Sequence, residues 1–314
     1  MTESRTNKPA SLNAALAYDD QFEDMEDSKS FSFWRVAFNR ILKDRLTMVA
    51  ITILSIILVA SLMAEVINSS LGVDPFDTNL LESLEPPSRT HLLGTDTLGQ
   101  DQFARLLVAG RISMAISFFG SVFTLVIGIT IGMMAAFFGG IVDDIIMWVI
   151  NTLSSIPALF LLLIVGAIFQ ISPFWLTVLF AILGWPFIAR LVRSNVYSIR
   201  EREYILASIA LGGSSFYTMF RHIMPNVIPI VIIATARTVG NLMLAEAGLS
   251  FLGFGVQPPT PTWGNMLTEA QQYIVRSDAR HLIVAPGVMI TITVLCMFII
   301  GDGLRDALDP RLKK

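Results

Sequence analysis

The chain has 314 residues, 54% hydrophobic and 15% charged, with mean hydropathy +0.65 and formal net charge -3. Soluble domains carry about 25% charged residues, so the composition excludes an ordinary soluble fold, and the acidic balance gives no footing to a nucleic-acid binder. The single cysteine, Cys296, lies in an apolar run, which excludes a disulfide framework and reads as a small buried hydrophobe.

Residues 1–30 hold Glu3, Asp19, Asp20, Glu23, Asp24, Glu26 and Asp27 against Arg5, Lys8 and Lys29. This composition predicts a disordered acidic tail. The first 45 residues are polar and the first apolar run comes late, so no cleavable leader is expected. In 31–45, Trp34, Phe38, Ile41 and Leu42 fall at helical spacing between Arg35, Arg40, Lys43 and Arg45. A basic amphipathic helix with aromatics suits a membrane interface.

Residues 46–314 predict a transmembrane domain with apolar segments at about 46–67, 113–138, 145–169, 173–192, 227–250 and 282–300. The first spans ~33 Å as a helix, enough for a hydrocarbon core of ~30 Å. Pro157 and Pro186 predict kinks. The second segment places Gly120, Thr124, Gly128, Gly132 and Ala136 four apart. Such a stripe allows close helix contact, and it fits intrachain packing and a subunit interface equally.

The Lys and Arg residues set orientation. Most lie in the N-terminal region, in the 190–226 region (Arg190, Arg193, Arg200, Arg202, Arg221) and at the C-terminus (Arg305, Arg311, Lys313, Lys314). With six spans these regions share one side. The expected class is therefore an all-α membrane protein of six transmembrane helices with both termini cytoplasmic. Loop 201–226 would also be cytoplasmic, and loops 68–112 and 251–281 extracytoplasmic.

No G-x-x-x-x-G-K-[ST], HExxH or G-x-S-x-G pattern is present, so an enzyme reading has no constellation behind it. Asp96 and Asp101 in "GTDTLGQD" read as turn chemistry with Gly94 and Gly99 rather than as a metal site. The stretch "PPTPTWGNM" reads as a stiff outer turn with Trp263 as an interface anchor. Within the fifth segment, Arg237 near mid-span, Asn241 and Glu246 are candidates for a translocation pathway. A structural contact with another span is the competing reading of Arg237. Glu246 is expected nearer the outer end, within reach of water.

The loop "EREYILASIALGGSSFYTMFRHIMPN" (201–226) is polar among apolar runs. Gly212-Gly213 predicts a helix stop, Ser214 or Ser215 a cap, and Pro225 the end of a second helix. Phe216, Met219, Phe220 and Ile223 fall on one face of that helix. A hairpin lying in lipid headgroups and a docking element for a soluble partner both fit these residues.

This loop resembles the cytoplasmic signature loop of ABC importer permeases, with Glu203, Ala207, Gly212 and Pro225 at the pattern's positions and Ser208 where a second alanine is usual. "HLLGTDTLGQD" (91–101), "LSFLGFGVQPPTPTWGNML" (249–267) and "GDGLRDALDPRLK" (301–313) are similar to the second, C-type membrane subunit of the dipeptide, oligopeptide and nickel importers. The likeness covers about 31–314 and departs from the pattern at Gln100, where arginine is common.

The resemblance implies a non-catalytic permease of a bacterial or archaeal inner membrane. It would pair with a second permease, two cytoplasmic ATPase subunits and an extracytoplasmic substrate-binding protein. It would lie among membrane lipids and bind no cofactor, ATP and Mg being used by the ATPases. Ser214 to Ile223 would be the coupling helix, with Gly212 at the bend and Glu203 anchoring the first helix. Phe216, Met219 and Phe220 would enter an ATPase cleft, and Arg221 would pair with acids at its rim. The expected cargo is dipeptides or oligopeptides. Nickel or another small solute is the alternative within this architecture, and a stand-alone secondary transporter the alternative outside it.

Overall fold

The computed structural model describes residues 35–273, 275–276 and 279–308. The expected acidic tail (1–30), Trp34 and the C-terminal Arg311, Lys313 and Lys314 lie outside the described residues. Among those described, every extended element is helical, and the β content is one isolated bridge, Thr95–Asp101.

Helix α1 (35–43) meets α2 (Arg45–Leu62) at Asp44, whose carboxylate accepts the N–H groups of Leu46 and Thr47. This N-cap satisfies donors that the helix leaves unpaired. Ala37 of α1 is buried beside Ala307 and Leu308, while Phe38 and Leu42 are exposed. Helix α3 (Ala64–Leu71) follows α2 and ends at Gly72, in the left-handed region at φ 68°.

Helix α4 (Gln102–Phe138) starts well before the expected 113 because Asp101 caps it, accepting from Ala104 N–H at 2.8 Å. Its early polar residues Gln102 and Arg105 are buried in the loops around it rather than exposed to lipid. The segment expected as one span at 145–169 is two helices, α5 (Gly140–Ser154) and α6 (Ala158–Ile168), bent by 69°. Pro157 sits at that break. Pro186, in contrast, lies inside an uninterrupted α7 (Pro173–Arg200). Ser172 caps α7 and Pro173 fills its first turn, where a missing N–H costs nothing.

Beyond α8 (Glu203–Ala210) and the short α9 (Ser215–Tyr217), a π-helical turn (Thr218–Ile223) runs directly into α10 (Met224–Phe251). Helices α11 (Trp263–Ala270) and α12 (His281–Leu308) complete the chain. Five helical runs are long and apolar enough to cross a membrane, and the bent α5–α6 pair makes a sixth if it is one span.

Contacts at the small residues give the directions of the helices. A Cβ at Gly128 would meet Ile188, and one at Gly132 would meet Ala189 and Val192 of α7. Thr124 reaches the Phe180 carbonyl. The two sets of numbers rise together, so α4 and α7 run parallel, and α5–α6 carries the chain back between them. Gly240 packs on Phe298 and Gly301 on Ala236, so α10 and α12 are antiparallel. Gly110 meets Ser61, and Asn68 donates to the Ala104 carbonyl, so α2–α3 runs against α4. One end of the bundle therefore collects the starts of α2 and α10 with the ends of α4, α7 and α12. The opposite end carries α3, the 72–101 loop and α11. The small-residue stripe of α4 serves intrachain packing against α7.

Candidate functional site

The 201–226 segment lies at the end of the bundle where α7 finishes and α10 begins. Helix α8 ends in a Schellman motif: Gly213 N–H donates to Ser208 O at 2.9 Å and Gly212 N–H to Ile209 O at 3.0 Å. Gly212 adopts φ 85°, which side-chain-bearing residues rarely occupy, although nothing crowds its missing Cβ. At Gly213 a Cβ would collide with Ser208. Ser214 then caps the second helix by accepting from Tyr217 N–H at 3.2 Å. Ile205 is fully buried and pins α8, while Glu203 and Ala207 are exposed.

Two expectations for this hairpin need correction. Pro225 does not end the second helix, which continues to Phe251. The turn before it is wound as a π-helix, with Met224 N–H reaching Met219 O five residues back. Proline supplies no N–H, and it sits where the ladder already changes from π to α spacing. Met219 also does not share an exposed face with Phe216 and Phe220. It is 7% exposed and turned into the chain with Ile223, while Phe216 and Phe220 are 69% and 41% exposed. Looser i to i+5 winding brings residues four apart nearly into line. The Phe216 and Phe220 rings therefore stack, 4.4 Å between centroids, on the side opposite Met219. Arg221 is exposed beside them.

The three pathway candidates separate. Arg237 and Asn241 lie one turn apart on an exposed stripe of α10. Arg237 pairs with Asp302 of α12. Because Gly303 packs on Thr47, this pair lies level with the first turn of α2, not at mid-span. Glu246 faces the other way. It is 1% exposed and accepts from Ser250 Oγ at 2.8 Å and Ser113 Oγ at 3.2 Å. The expected exposure to water is not found: Ser113 of α4 and Gly264 of α11 pack over this face of α10.

Trp263 is likewise no interface anchor. It is fully buried and opens α11, which Thr262 and Asn265 start with a capping box. Its Nε1 donates to Leu106 O at 3.0 Å and its backbone N–H to Ser113 Oγ at 3.1 Å. Ser113 thus ties α4, α10 and α11 together.

Asp96, in the 72–101 loop, does perform turn chemistry. Asp96 Oδ1 accepts from Leu98 and Gln100 N–H at 2.8 and 2.9 Å, and Gly94 and Gly99 take positive φ. Asp96 Oδ2 also receives Arg105 at 2.7 Å, and Arg105 reaches Glu269 of α11 at 3.1 Å. Burial pushes the Glu269 carboxyl above its ordinary range; Arg105 opposes this shift and Asp96 adds to it. Gln100 is buried and donates to Phe76 O at 3.2 Å.

Sequence reasoning missed Asp302, Arg105, Glu269 and Ser113 as partners. Asp302 had a signal, an acid closing an apolar helix in a quoted motif. Arg105 with Glu269, and Ser113 with Glu246, are joined across more than a hundred residues.

Residues 128–314 match the family described as "Binding-protein-dependent transport system inner membrane component", and residues 32–87 match "N-terminal TM domain of oligopeptide transport permease C". The chain is 35% identical to the dipeptide transport system permease protein DppC of Alkalihalophilus pseudofirmus, covering 89% of this chain and 90% of that one. It is 34% identical to the oligopeptide transport system permease protein OppC of Bacillus subtilis, covering 98% and 97%. It is 35% identical to the glutathione transport system permease protein GsiD of Pectobacterium atrosepticum, covering 89% and 92%. A solved structure of the MetNI methionine ABC transporter in inward-facing conformations shares the fold, with TM-score 0.54 at 21% identity, covering 65% of this chain and 97% of that one.

Proposed function

The chain belongs to the binding-protein-dependent transport inner-membrane component family, as a C-type permease of an ABC importer, and from that membership we propose that it forms half of a translocation pathway for dipeptides or oligopeptides. It is a non-catalytic membrane subunit. The second permease, the two ATPases that use ATP and Mg, and an extracytoplasmic binding protein are its proposed partners. Its proposed setting is a bacterial or archaeal inner membrane, crossed six times, with both termini and the 201–226 hairpin cytoplasmic. Residues 1–30 are proposed as a tail, 31–45 as an interfacial helix and 46–314 as the permease domain.

One observation carries the coupling role. Phe216 and Phe220 stack outward on a hairpin held rigid by its own caps and by buried Ile205 and Ile223. Exposed aromatics on a fixed polar element suit a protein groove. In this reading Arg221 meets acids at the groove rim, and Glu203, Ala207, Gly212, Ser214 and Pro225 shape the hairpin. Met219 anchors it from within. ATP-driven closure of the ATPases then moves α10, which is continuous with the hairpin, and alternates access.

The test is uptake and complex assembly for Gly212→Leu and Gly212→Asn. Leucine is strained at φ 85° by roughly 1–2 kcal/mol, whereas asparagine tolerates the left-handed region. Gly212→Leu is expected to keep the ATPases in copurified complexes while uncoupling hydrolysis from uptake, and Gly212→Asn to retain both. Wild-type uptake by Gly212→Leu would refute the coupling role.

A further inference from the structure

Helices α5 and α7 carry exposed polar stripes that meet at Arg190. On α5 the stripe is Asp144, Asn151 and Ser154; on α7 it is Ser198, Ser194 and Arg190. Both begin at the end of the bundle that bears the 201–226 hairpin. The polarity stops at Arg190, because Phe187, three residues deeper on α7, is apolar and 66% exposed. Arg190 lies ten residues, or ~15 Å, inside the end of α7 at Arg200. Its guanidinium donates to Asn151 Oδ1 at 3.3 Å and to Ser154 Oγ at 3.0 Å. Both partners are neutral, and among the described residues no carboxylate comes within ion-pair distance of it. Arg193 differs. It is matched by Asp143, which it bonds through two nitrogens at 2.6 and 2.5 Å.

Arg190 also points the wrong way for a residue in lipid. Arg193 reaches Asp143, whereas Arg190, set three residues deeper, reaches residues eight and eleven further along α5. Its side chain is therefore directed toward the middle of the bundle. A lipid-facing arginine does the reverse and snorkels to the headgroups. The place it reaches is where α5 stops and the chain bends by 69° into α6. Backbone that leaves a helix at membrane depth faces protein or water, not acyl chains. A protein helix laid over Arg190 would have to bring it an anion. Water needs only a route, and the small side chains of Ser198 and Ser194 leave one from the hairpin end.

We propose that α5 and α7 line a water-filled vestibule open at the hairpin end, with Arg190 at its floor giving it a preference for carboxylates and other anions over cations. The inference rests on the permease reading and adds where the aqueous route runs and which charge it favours. Arg193 contributes no net charge there, because Asp143 cancels it. Asp144 sits ten residues before Ser154, ~15 Å along α5, beyond the ~8 Å screening length of physiological salt.

The test uses the transporter assembled with its second permease and ATPases, in membrane vesicles of each orientation, with Cys296→Ala as background. Ser154→Cys and Ser198→Cys are reacted with two impermeant methanethiosulfonates, one carrying a sulfonate and one a trimethylammonium group. The mass of this chain reports the modification. Both positions are expected to react from the hairpin side. At Ser154→Cys the anionic-to-cationic rate ratio is expected to fall about 5- to 10-fold on Arg190→Gln and to hold in Arg190→Lys. At Ser198→Cys it is expected to change less than about 2-fold. The ratio cancels any effect of the cation on thiol ionisation, which speeds both reagents alike. A Ser154→Cys that stays unreactive while Ser198→Cys reacts would mean that lipid or the second permease covers the floor, and would overturn the proposal. A ratio at Ser154→Cys that ignores Arg190→Gln would overturn it too. If both cysteines react only from the opposite face of the membrane, the cytoplasmic placement of the hairpin fails while the vestibule stands.

Discussion

Arg105 is 6% exposed and joins two carboxylates, Asp96 nine residues before it in the 72–101 loop and Glu269 far along the chain on α11. Removing the cation leaves Asp96 buried and uncompensated, a change that costs about 3–5 kcal/mol in comparable sites. Arg105→Gln is therefore expected to lower the melting temperature of the purified protein strongly. An unchanged transition would show that water reaches Asp96. Glu269 gives a separate, pH-dependent signature. Its carboxyl titrates above its ordinary value near 4.5 because burial disfavours the charged form. The folded state then binds this proton more tightly than the unfolded state, so the stabilisation is complete below pH 4.5 and is lost as pH rises through the raised value. The melting temperature of the wild type is expected to fall relative to Glu269→Gln as pH is raised from 4.5. A constant difference across that range rules the shift out. Little of this cluster was legible in the sequence. Asp96 reads correctly as a turn residue because its partners, Leu98 and Gln100, are local. Its bond to Arg105, nine residues on, is set by how the loop turns into α4, and the link onward to Glu269 depends on how α4 and α11 dock.

At the scale of elements, local signals read well and long-range ones do not. The Gly212 bend and the Ser214 cap are visible because both act within five residues. Phe216, Met219 and Phe220 read as one face only if the helix is wound as α; the π turn before Pro225 divides them. The burial of Trp263 and Glu246 comes from the docking of α4, α10 and α11, joined at Ser113, more than a hundred residues away from both. The stripe on α4 was legible as a packing surface but not as to its partner, which the structure shows to be α7. A Cβ at Gly132 would lie 2.5 Å from the Ala189 carbonyl and 2.9 Å from Val192 Cβ. Backbone cannot yield as a flexible side chain does, so Gly132→Ala is expected to destabilise by about 1–3 kcal/mol, as overpacking does elsewhere. Gly248, on α10, has nothing within 4 Å of its missing Cβ. Gly248→Ala should be neutral or up to ~1 kcal/mol stabilising through helix propensity. Thermal denaturation of the two variants checks the contrast. Equal effects would mean that α4 and α7 are not held as closely as the contacts indicate.

For the whole molecule, the register of α4 and α7 bears directly on how many times the chain crosses the bilayer. Gly128 against Ile188 and Gly132 against Ala189 and Val192 make these helices parallel. Two parallel neighbours need a connection that returns the full height of the bundle, and α5–α6 is that connection, bent at Pro157. A re-entrant loop would instead bring the chain back to the side it left and force α7 to run antiparallel to α4. The register is the one that the proposed six crossings require, and on that proposal the distribution of Lys and Arg would put the 201–226 hairpin in the cytoplasm. Cysteine labelling tests this, because the native Cys296 is buried and can be replaced by alanine to give a silent background. Single cysteines would go at Ser88 in the 72–101 loop, at Phe169 between α6 and α7, and at Glu201 after α7, all of them exposed positions. Six crossings place Ser88→Cys and Phe169→Cys within reach of an impermeant maleimide on intact cells, and Glu201→Cys within reach only after permeabilisation. Phe169 is the discriminating position. If α5–α6 is re-entrant, Phe169→Cys labels from the cytoplasm and Glu201→Cys from outside, which would also remove the hairpin from any ATPase.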